Sequence, residues 1–296
     1  MGDNVANTGA IERRMMPTEK QKFRGPTRDT VAFYALLITV TSIALIAILA
    51  PWIAPYDPTE QNIKERLASP SGAHPFGTDQ FGRDILSRII WGAKTTLIIS
   101  VSTTFIAGGL GGFMGMFAGY KGGILDAGVK PLVDLLMAFP SLLLGLMVLA
   151  VMGPGTYNLI VAASLALLPG FIRITHNLTL SIKEREFIIS ARAVGGSDFR
   201  IVVFHILPNL RDDIMTVAIV WMAQVIRMES ALSFLGIGVS PPTPSWGLMI
   251  REGFNFLYAS PWLAVFPGMS IVFCIFVLSL LSDQIQERYV RTGRRS

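Results

Sequence analysis

Charged residues are scarce in this chain of 296 residues: they make up 15% of it, whereas hydrophobic residues make up 51%. Soluble domains average roughly 25% charged residues, so this composition argues against a chain of soluble domains. The sequence has one cysteine, Cys274, so it cannot form an intrachain disulfide. It also has no GxxxxGK[ST] motif, and the chain by itself therefore has no P-loop for a nucleotide.

Long apolar runs are abundant instead, and each is long enough to cross a hydrocarbon core of about 30 Å. Backbone amides inside lipid must be paired within the segment, so the runs are predicted to be helices of an all-α membrane bundle. The first run is too long for the core of a signal peptide, and it indicates a membrane anchor. Six spans are predicted, at residues 31–53, 95–117, 131–152, 158–174, 214–235 and 262–281.

The net charge of +5 is explained by membrane topology and does not indicate a nucleic-acid partner. If the amino terminus is inside, 17 Lys and Arg residues lie on cytoplasmic segments and only five on outward segments. This skew is the positive-inside pattern of membrane proteins. We therefore expect both termini to be cytoplasmic.

The predicted organisation alternates short polar segments with the spans. The amino-terminal 30 residues contain too few apolar residues to fold alone, and they are predicted to form a disordered or surface-lying tail. The core is expected to contain a cytoplasmic loop at 179–212 and an outward loop at 236–260. The predicted divisions are a cytoplasmic tail at 1–30, the first span at 31–53, an extracytoplasmic segment at 54–94, the core at 95–283 and a cytoplasmic tail at 284–296.

Glycines recur at close spacing in the second span. Gly108 and Gly112, like Gly111 and Gly115, are four residues apart, a spacing that lets two membrane helices approach closely. The run lies within the bilayer and no GKS or GKT follows it, so helix packing is favoured over phosphate binding.

A polar stretch of helix-forming residues lies in the cytoplasmic loop, between the fourth and fifth spans. Phe187, Ala191 and Val194 have the spacing of one helical face, and Gly195-Gly196 then predicts a sharp turn. Gly195 is expected to adopt a positive φ, which makes it the least replaceable residue of the turn.

A second short helix is predicted after this turn. Ser197-Asp198 supplies the capping chemistry for its start, and Pro208 is expected to end it just before the fifth span. An amphipathic pair of this kind could lie on lipid headgroups. Acidic residues are interleaved with the cations, however, which favours a protein groove as the receptor.

These residues resemble the EAA loop of ABC-importer permeases. Ile189-Ser190-Ala191 occupies the EAA positions, Gly195 the glycine and Leu207-Pro208 the LP pair. Residues 74–88, HPFGTDQFGRDILSR, resemble the HPxGTDxxGRDxLSR stretch of C-type subunits in the peptide/nickel permease family. Further similarity at 138–141, 232–236, 241–248 and 261–264 extends the resemblance over about residues 30–283.

The resemblance implies a six-helix type I importer permease bundle in the bacterial inner membrane, with a cytoplasmic coupling helix. It implies four partners: a homologous second permease, two ABC ATPase subunits and an extracytoplasmic solute-binding protein. ATP and Mg²⁺ would bind to the ATPases, and this chain would need no cofactor. The expected ATPase contacts are Glu186, Ser190, Ala191, Arg192, Gly195, Asp198, Leu207 and Pro208.

Apart from Arg173, which is next to the end of its span, three charged residues lie within predicted spans, where charges are costly and often functional. Asp134 is about one turn into its span, which favours contact with cytoplasmic water. Arg227 and Glu229 are two residues apart and do not share a helix face. We predict that they line the translocation pathway and that Arg227 favours substrates with a carboxylate or phosphate. A bridge from Arg227 to the second permease, or snorkelling to the surface, are the alternatives.

Other classes of protein fit the sequence less well. An ion-driven transporter or channel could use the three intramembrane charges, but the chain shows no repeat between its halves and has a long cytoplasmic loop. No nucleophile–base set suggests an enzyme, and His74 lacks neighbours for a metal site. The sequence leaves the substrate open among dipeptides, longer peptides, nickel chelates and oligosaccharides.

Overall fold

The computed structural model describes residues 28–293, and every regular element within that range is a helix. A 3₁₀ turn at Ile63–Glu65 and a π-helical turn at Val202–Ile206 supplement the α-helices. The helices are α1 Arg28–Ile48, α2 Ala50–Ile53, α3 Ile85–Lys121, α4 Gly123–Met137, α5 Ser141–Met152, α6 Thr156–Ile182, α7 Glu186–Ala193, α8 Asp198–Ile201, α9 Leu207–Leu235, α10 Trp246–Phe254 and α11 Trp262–Gly293.

The two predicted tails lie partly outside the described residues. Residues 1–27, which make up most of the predicted amino-terminal tail, lie outside the described residues. At the other end α11 continues to Gly293. Most of the segment predicted as a carboxyl-terminal tail at 284–296 is therefore helical.

The predicted all-α membrane class is confirmed. Five helical segments in residues 28–293 are long and apolar enough to cross a membrane, and a sixth span results if α4 and α5 count as one. α3 starts at Ile85, ten residues before the predicted second span. The Asp84 side chain accepts a hydrogen bond from the Ser87 amide and so caps the new start.

The third span is broken, and its prediction as one continuous helix at 131–152 is wrong. α4 and α5 meet at an angle of 89° across residues 138–140. Pro140 explains the break, because its ring disfavours helical backbone at Phe139 and it has no amide to donate. α4 also starts earlier, at Gly123, so the polypeptide of this span extends well beyond the predicted limits.

Glycines of α3 let it pack closely on α6, as the sequence predicts. A methyl group on Gly115 would overlap the Thr175 hydroxyl and the Ile172 carbonyl, and one on Gly119 would lie 2.9 Å from the His176 carbonyl oxygen. Gly111 meets α6 in the same way, with the Leu168 carbonyl oxygen at 3.0 Å. This close approach matches the small-residue packing of membrane helices.

A folded region, which we call the loop end, contains residues 54–84 and 236–260 and lies at the start of α3. Two arginines are buried at this junction: Arg83 of the loop end is 3% exposed, and Arg88 in the first turn of α3 is 1% exposed. Both donate to the Glu252 carboxylate of α10, at 3.1 and 2.7 Å. Asp79 completes the network with Arg83 Nε at 2.5 Å and Arg88 Nε at 3.5 Å. Four charges thereby join the long segment before α3 to α10.

His74 forms two contacts with carboxylates in the same region. His74 Nδ1 lies 2.9 Å from the buried Asp84 carboxylate, and Nε2 lies 3.3 Å from Glu65. Burial lowers the pKa of His74, but the hydrogen bonds and charges of Asp84 and Glu65 outweigh it and raise the pKa above its ordinary value. His74 thus links the 3₁₀ turn to the start of α3.

Candidate functional site

The predicted helical pair between the fourth and fifth spans is present, and we call residues 184–208 the elbow. α7 ends in a turn where Gly195 has φ +85°, which confirms the predicted positive φ. The Gly196 amide donates to the Ala191 carbonyl at 3.0 Å and closes the end of α7. The Ser197 hydroxyl accepts from the Arg200 amide and caps α8, again as predicted.

The elbow is fixed to the bundle through a buried apolar cluster. Ile188, Ile201 and Ile206 are fully buried against the ends of α3 and α6. Arg192 adds a cation–π contact, with its guanidinium 5.2 Å from the centre of the Tyr120 ring. The elbow is therefore packed against the ends of α3 and α6.

The three residues that share the predicted face of α7 differ in burial. Val194 is 89% exposed and Phe187 is also exposed, whereas Ile188 is fully buried and Ala191 packs beside it. The spacing of the apolar residues is compatible with burial of several faces of this eight-residue helix. The position of α8 decides among them, because Ile201 lies on the side of Ile188.

Pro208 does not end a helix, which corrects the second prediction for this segment. It lies in the first turn of α9, where a missing amide costs nothing. The preceding residues form the π-helical turn Val202–Ile206, and the helical path continues from α8 into α9. The Leu207 amide, the last before the proline, donates to the Val202 carbonyl five residues earlier and closes this π-turn.

Most of the expected ATPase-contact residues lie on the solvent-exposed side of the elbow, away from the buried apolar cluster. Ala191 is half-buried against the apolar cluster. Asp198 forms an exposed ion pair with Lys121 at 3.3 Å. The exposed members are Glu186, Ser190, Arg192, Gly195, Asp198, Leu207 and Pro208. Apolar side chains surround them, since Phe187, Ile189, Val194, Phe199 and Phe204 are exposed as well.

Arg227 lies in a groove formed by the α4–α5 break, α6 and α9. The groove has a volume of about 480 Å³, and Arg227 and Gln224 are the polar residues that α9 contributes to it. Arg227 donates to the Gln224 side-chain oxygen through Nη2 at 2.5 Å and Nε at 3.2 Å. The amide orients the guanidinium, and no carboxylate among the described side chains forms an ion pair with it.

Glu229 occupies a different environment from Arg227. It is 1% exposed and accepts hydrogen bonds from Ser233 at 2.9 Å, from Thr96 at 3.3 Å and from Ser230 at 3.3 Å. These contacts tie α9 to α3. The two residues thus lie on separate sides of α9, as their spacing predicts, and Glu229 does not line the groove of Arg227.

Sequence reasoning missed the polar contacts between α4 and α6. His176 lies 2.8 Å from Asp126, which also pairs with Lys130. Asp134 and Arg173 line a neighbouring cavity of about 240 Å³. The network of Asp79, Arg83, Arg88 and Glu252 was missed too. In the sequence, its only signal was the short spacing of the charged residues in FGTDQFGRD, residues 76–84. The partner on α10, Glu252, is 169 residues away from Arg83.

Known proteins match this chain along most of its length. Residues 111–294 match the family described as binding-protein-dependent transport system inner membrane component. Residues 28–70 match the N-terminal TM domain of oligopeptide transport permease C. Among solved structures, one of inward-facing conformations of the MetNI methionine ABC transporter has a TM-score of 0.53. It is 17% identical, covers 67% of this chain and 96% of its own, and supports the fold alone.

Two curated relatives illustrate the similarity. The dipeptide transport system permease protein DppC of Alkalihalophilus pseudofirmus is 35% identical over 268 residues, which are 90% of this chain and 88% of the relative. The glutathione transport system permease protein GsiD of Escherichia coli is 38% identical over 259 residues, 87% and 84% of the two chains. The ion-driven and enzymatic alternatives are thereby set aside. The chain belongs to the inner membrane permease family of binding-protein-dependent ABC importers, and it is a multi-pass transport subunit whose ATPase is a separate chain.

Proposed function

We propose that this chain forms half of a pathway for peptides or similar small solutes. The substrate class is supported by the relatives, whose names refer to dipeptides and glutathione. A distinct homologous permease would complete the pathway, as the C-type sequence pattern suggests. The charge skew supports cytoplasmic termini and an elbow on the cytoplasmic side.

The elbow is proposed to couple this pathway to two ATPase subunits, which bind ATP and Mg²⁺. The observation that carries the proposal is the two-sided character of the elbow. One side is buried on α3 and α6 through Ile188 and Ile201, while the other exposes apolar residues such as Val194 beside charged ones. A partner that grips the exposed side would move the bundle through the packed side.

Gly195→Asp tests the coupling in the complete complex reconstituted with its binding protein. Aspartate at φ +85° strains the turn and adds a charge to the exposed side, so we expect loss of binding-protein-stimulated ATP hydrolysis. Gly153→Asp is the matched control, because Gly153 has φ +80° and also has open space around it, but lies between α5 and α6. Arg192→Glu provides a second variant without backbone strain, with Arg66→Glu at the loop end as its control. If stimulated hydrolysis and transport persist in both elbow variants, the elbow does not couple.

Arg227 is proposed to contact the substrate carboxylate in its groove, and Glu229 to support α9 from the opposite side. A hydrogen bond to a charged group is worth about 1.5–3 kcal/mol, so Arg227→Ala should slow uptake of a free peptide roughly tenfold or more. Uptake of the same peptide as its carboxyl amide should change little. Equal slowing of both peptides, or no slowing with the complex assembled, would favour a bridge to the second permease or snorkelling.

A further inference from the structure

A cavity separate from the groove of Arg227 opens between α1, α3 and α11. Its volume is about 500 Å³, and nearly all of its lining is aliphatic or small, including Ala44, Val101 and Leu278. Lys94 is the one charged residue among the described residues that line it. An apolar cavity with one cation at its wall matches the chemistry of a lipid with an anionic headgroup.

The depth of Lys94 matches the headgroup level of a bilayer. Its neighbour Ala93 packs in one cluster with Ala47, which lies one residue before the end of the apolar helix α1. Just beyond that end, Trp52 is 75% exposed, and tryptophan is enriched at membrane interfaces. Val101 is seven residues further along α3, or about 10 Å deeper at 1.5 Å per residue. The cavity therefore extends from the interface into the hydrocarbon layer.

The ammonium of Lys94 is poised for an anion. It lies 4.8 Å from the centre of the Trp91 ring, a contact that orients the charge without neutralising it. Among the side chains that the structure describes, residues 30–287, no carboxylate forms an ion pair with it. The apolar stem of the lysine can run along the cavity wall while its charge meets the headgroup.

We infer that this cavity is a binding site for an anionic phospholipid. One acyl chain occupies the space between α1, α3 and α11, and the phosphate pairs with Lys94. Only 6% of the residues in the most apolar part of α1 are buried, and lipid binding would join this helix to the rest of the bundle. Lipid binding at this site does not depend on the proposed substrate or on the coupling role of the elbow.

Native mass spectrometry of the complete complex tests the site. The complex is equilibrated with equal amounts of phosphatidylglycerol and phosphatidylcholine, and the retained lipids are counted. We expect wild type to retain phosphatidylglycerol preferentially and Lys94→Gln to reduce that preference about fivefold, which corresponds to roughly 1 kcal/mol per basic residue near a charged surface. Lys64→Gln is the matched control, because Lys64 is an exposed lysine at the loop end outside the cavity.

A second variant separates the charge from the cavity. Ala44→Phe fills the space while Lys94 remains, so we expect the complex to retain fewer lipids of both kinds. Unchanged preference in Lys94→Gln, or unchanged retention in Ala44→Phe, would overturn the proposal. Absence of both lipids from the wild-type complex, with binding seen only after the permease pair is separated, would overturn it as well and assign the cavity to the partner subunit.

Discussion

Replacing Glu252 with Gln should loosen the loop end strongly. The buried network there is neutral, because the charges of Arg83 and Arg88 are balanced by those of Asp79 and Glu252. The Glu252 side chain is only 15% exposed, so water screens it little. The substitution leaves one uncompensated positive charge among groups that are nearly inaccessible. Breaking a buried ion pair in this way costs about 3–5 kcal/mol.

Hydrogen exchange of the complete complex measures this cost locally. The amides of Asp79, Gly82 and Arg83 bond within the turn that holds the network. A loss of about 3–5 kcal/mol corresponds to exchange that is roughly a hundred to several thousand times faster at these amides. Glu65→Gln is the control, since the Glu65 side chain is 50% exposed, accepts a hydrogen bond from the exposed Asn62 side chain at 2.8 Å and lies 3.3 Å from His74. A change below about tenfold for Glu252→Gln, similar to that of Glu65→Gln, would refute a stabilising role of the network.

Two further predictions concern packing and pH. Gly115→Ala should destabilise the complex by about 1–3 kcal/mol, because its methyl overlaps the Thr175 hydroxyl and the backbone of α6, whereas Gly109→Ala, with open space around it, should not lower the unfolding temperature. The pKa of His74 is raised by Asp84 and Glu65, so its stabilising contribution is present below about pH 6.5 and is lost as the pH rises through the higher folded value. The amides of residues 74–84 should therefore lose protection from exchange between pH 6 and pH 9, measured as the ratio of their exchange rates in wild type and in His74→Gln. A ratio that stays constant over this pH range would contradict this account.

Local features of the elbow were predictable because their causes lie within a few residues. A glycine pair followed by Ser197-Asp198 requires a turn and then a capped helix whatever surrounds them, and the structure has both. The orientation of α7 was not predictable in the same way. Its burial depends on Ile201, thirteen residues after Ile188, and on the ends of α3 and α6.

Pro140, at the α4–α5 break, and Pro208 have different effects on the path of the helix. Both prolines lie at the start of a helix, α5 or α9, yet the chain bends by 89° at Pro140 and continues along one helical path at Pro208. At Pro208 the missing amide falls in a first helical turn, and a π-turn precedes it. Sequence alone locates the two prolines, but the backbone hydrogen bonds that are available around each decide the result.

The sequence by itself determined the class of this protein: its apolar runs are long enough to cross a bilayer, and its motifs carry the family assignment. It also determined the close packing of α3, because glycine spacing acts within one helix. Only the tertiary structure decided which charges meet, as in the pairing of Arg83 and Arg88 with Glu252 on α10. Spacing along the chain governs local geometry, whereas burial and ion pairing depend on segments that folding brings together from more than 160 residues apart.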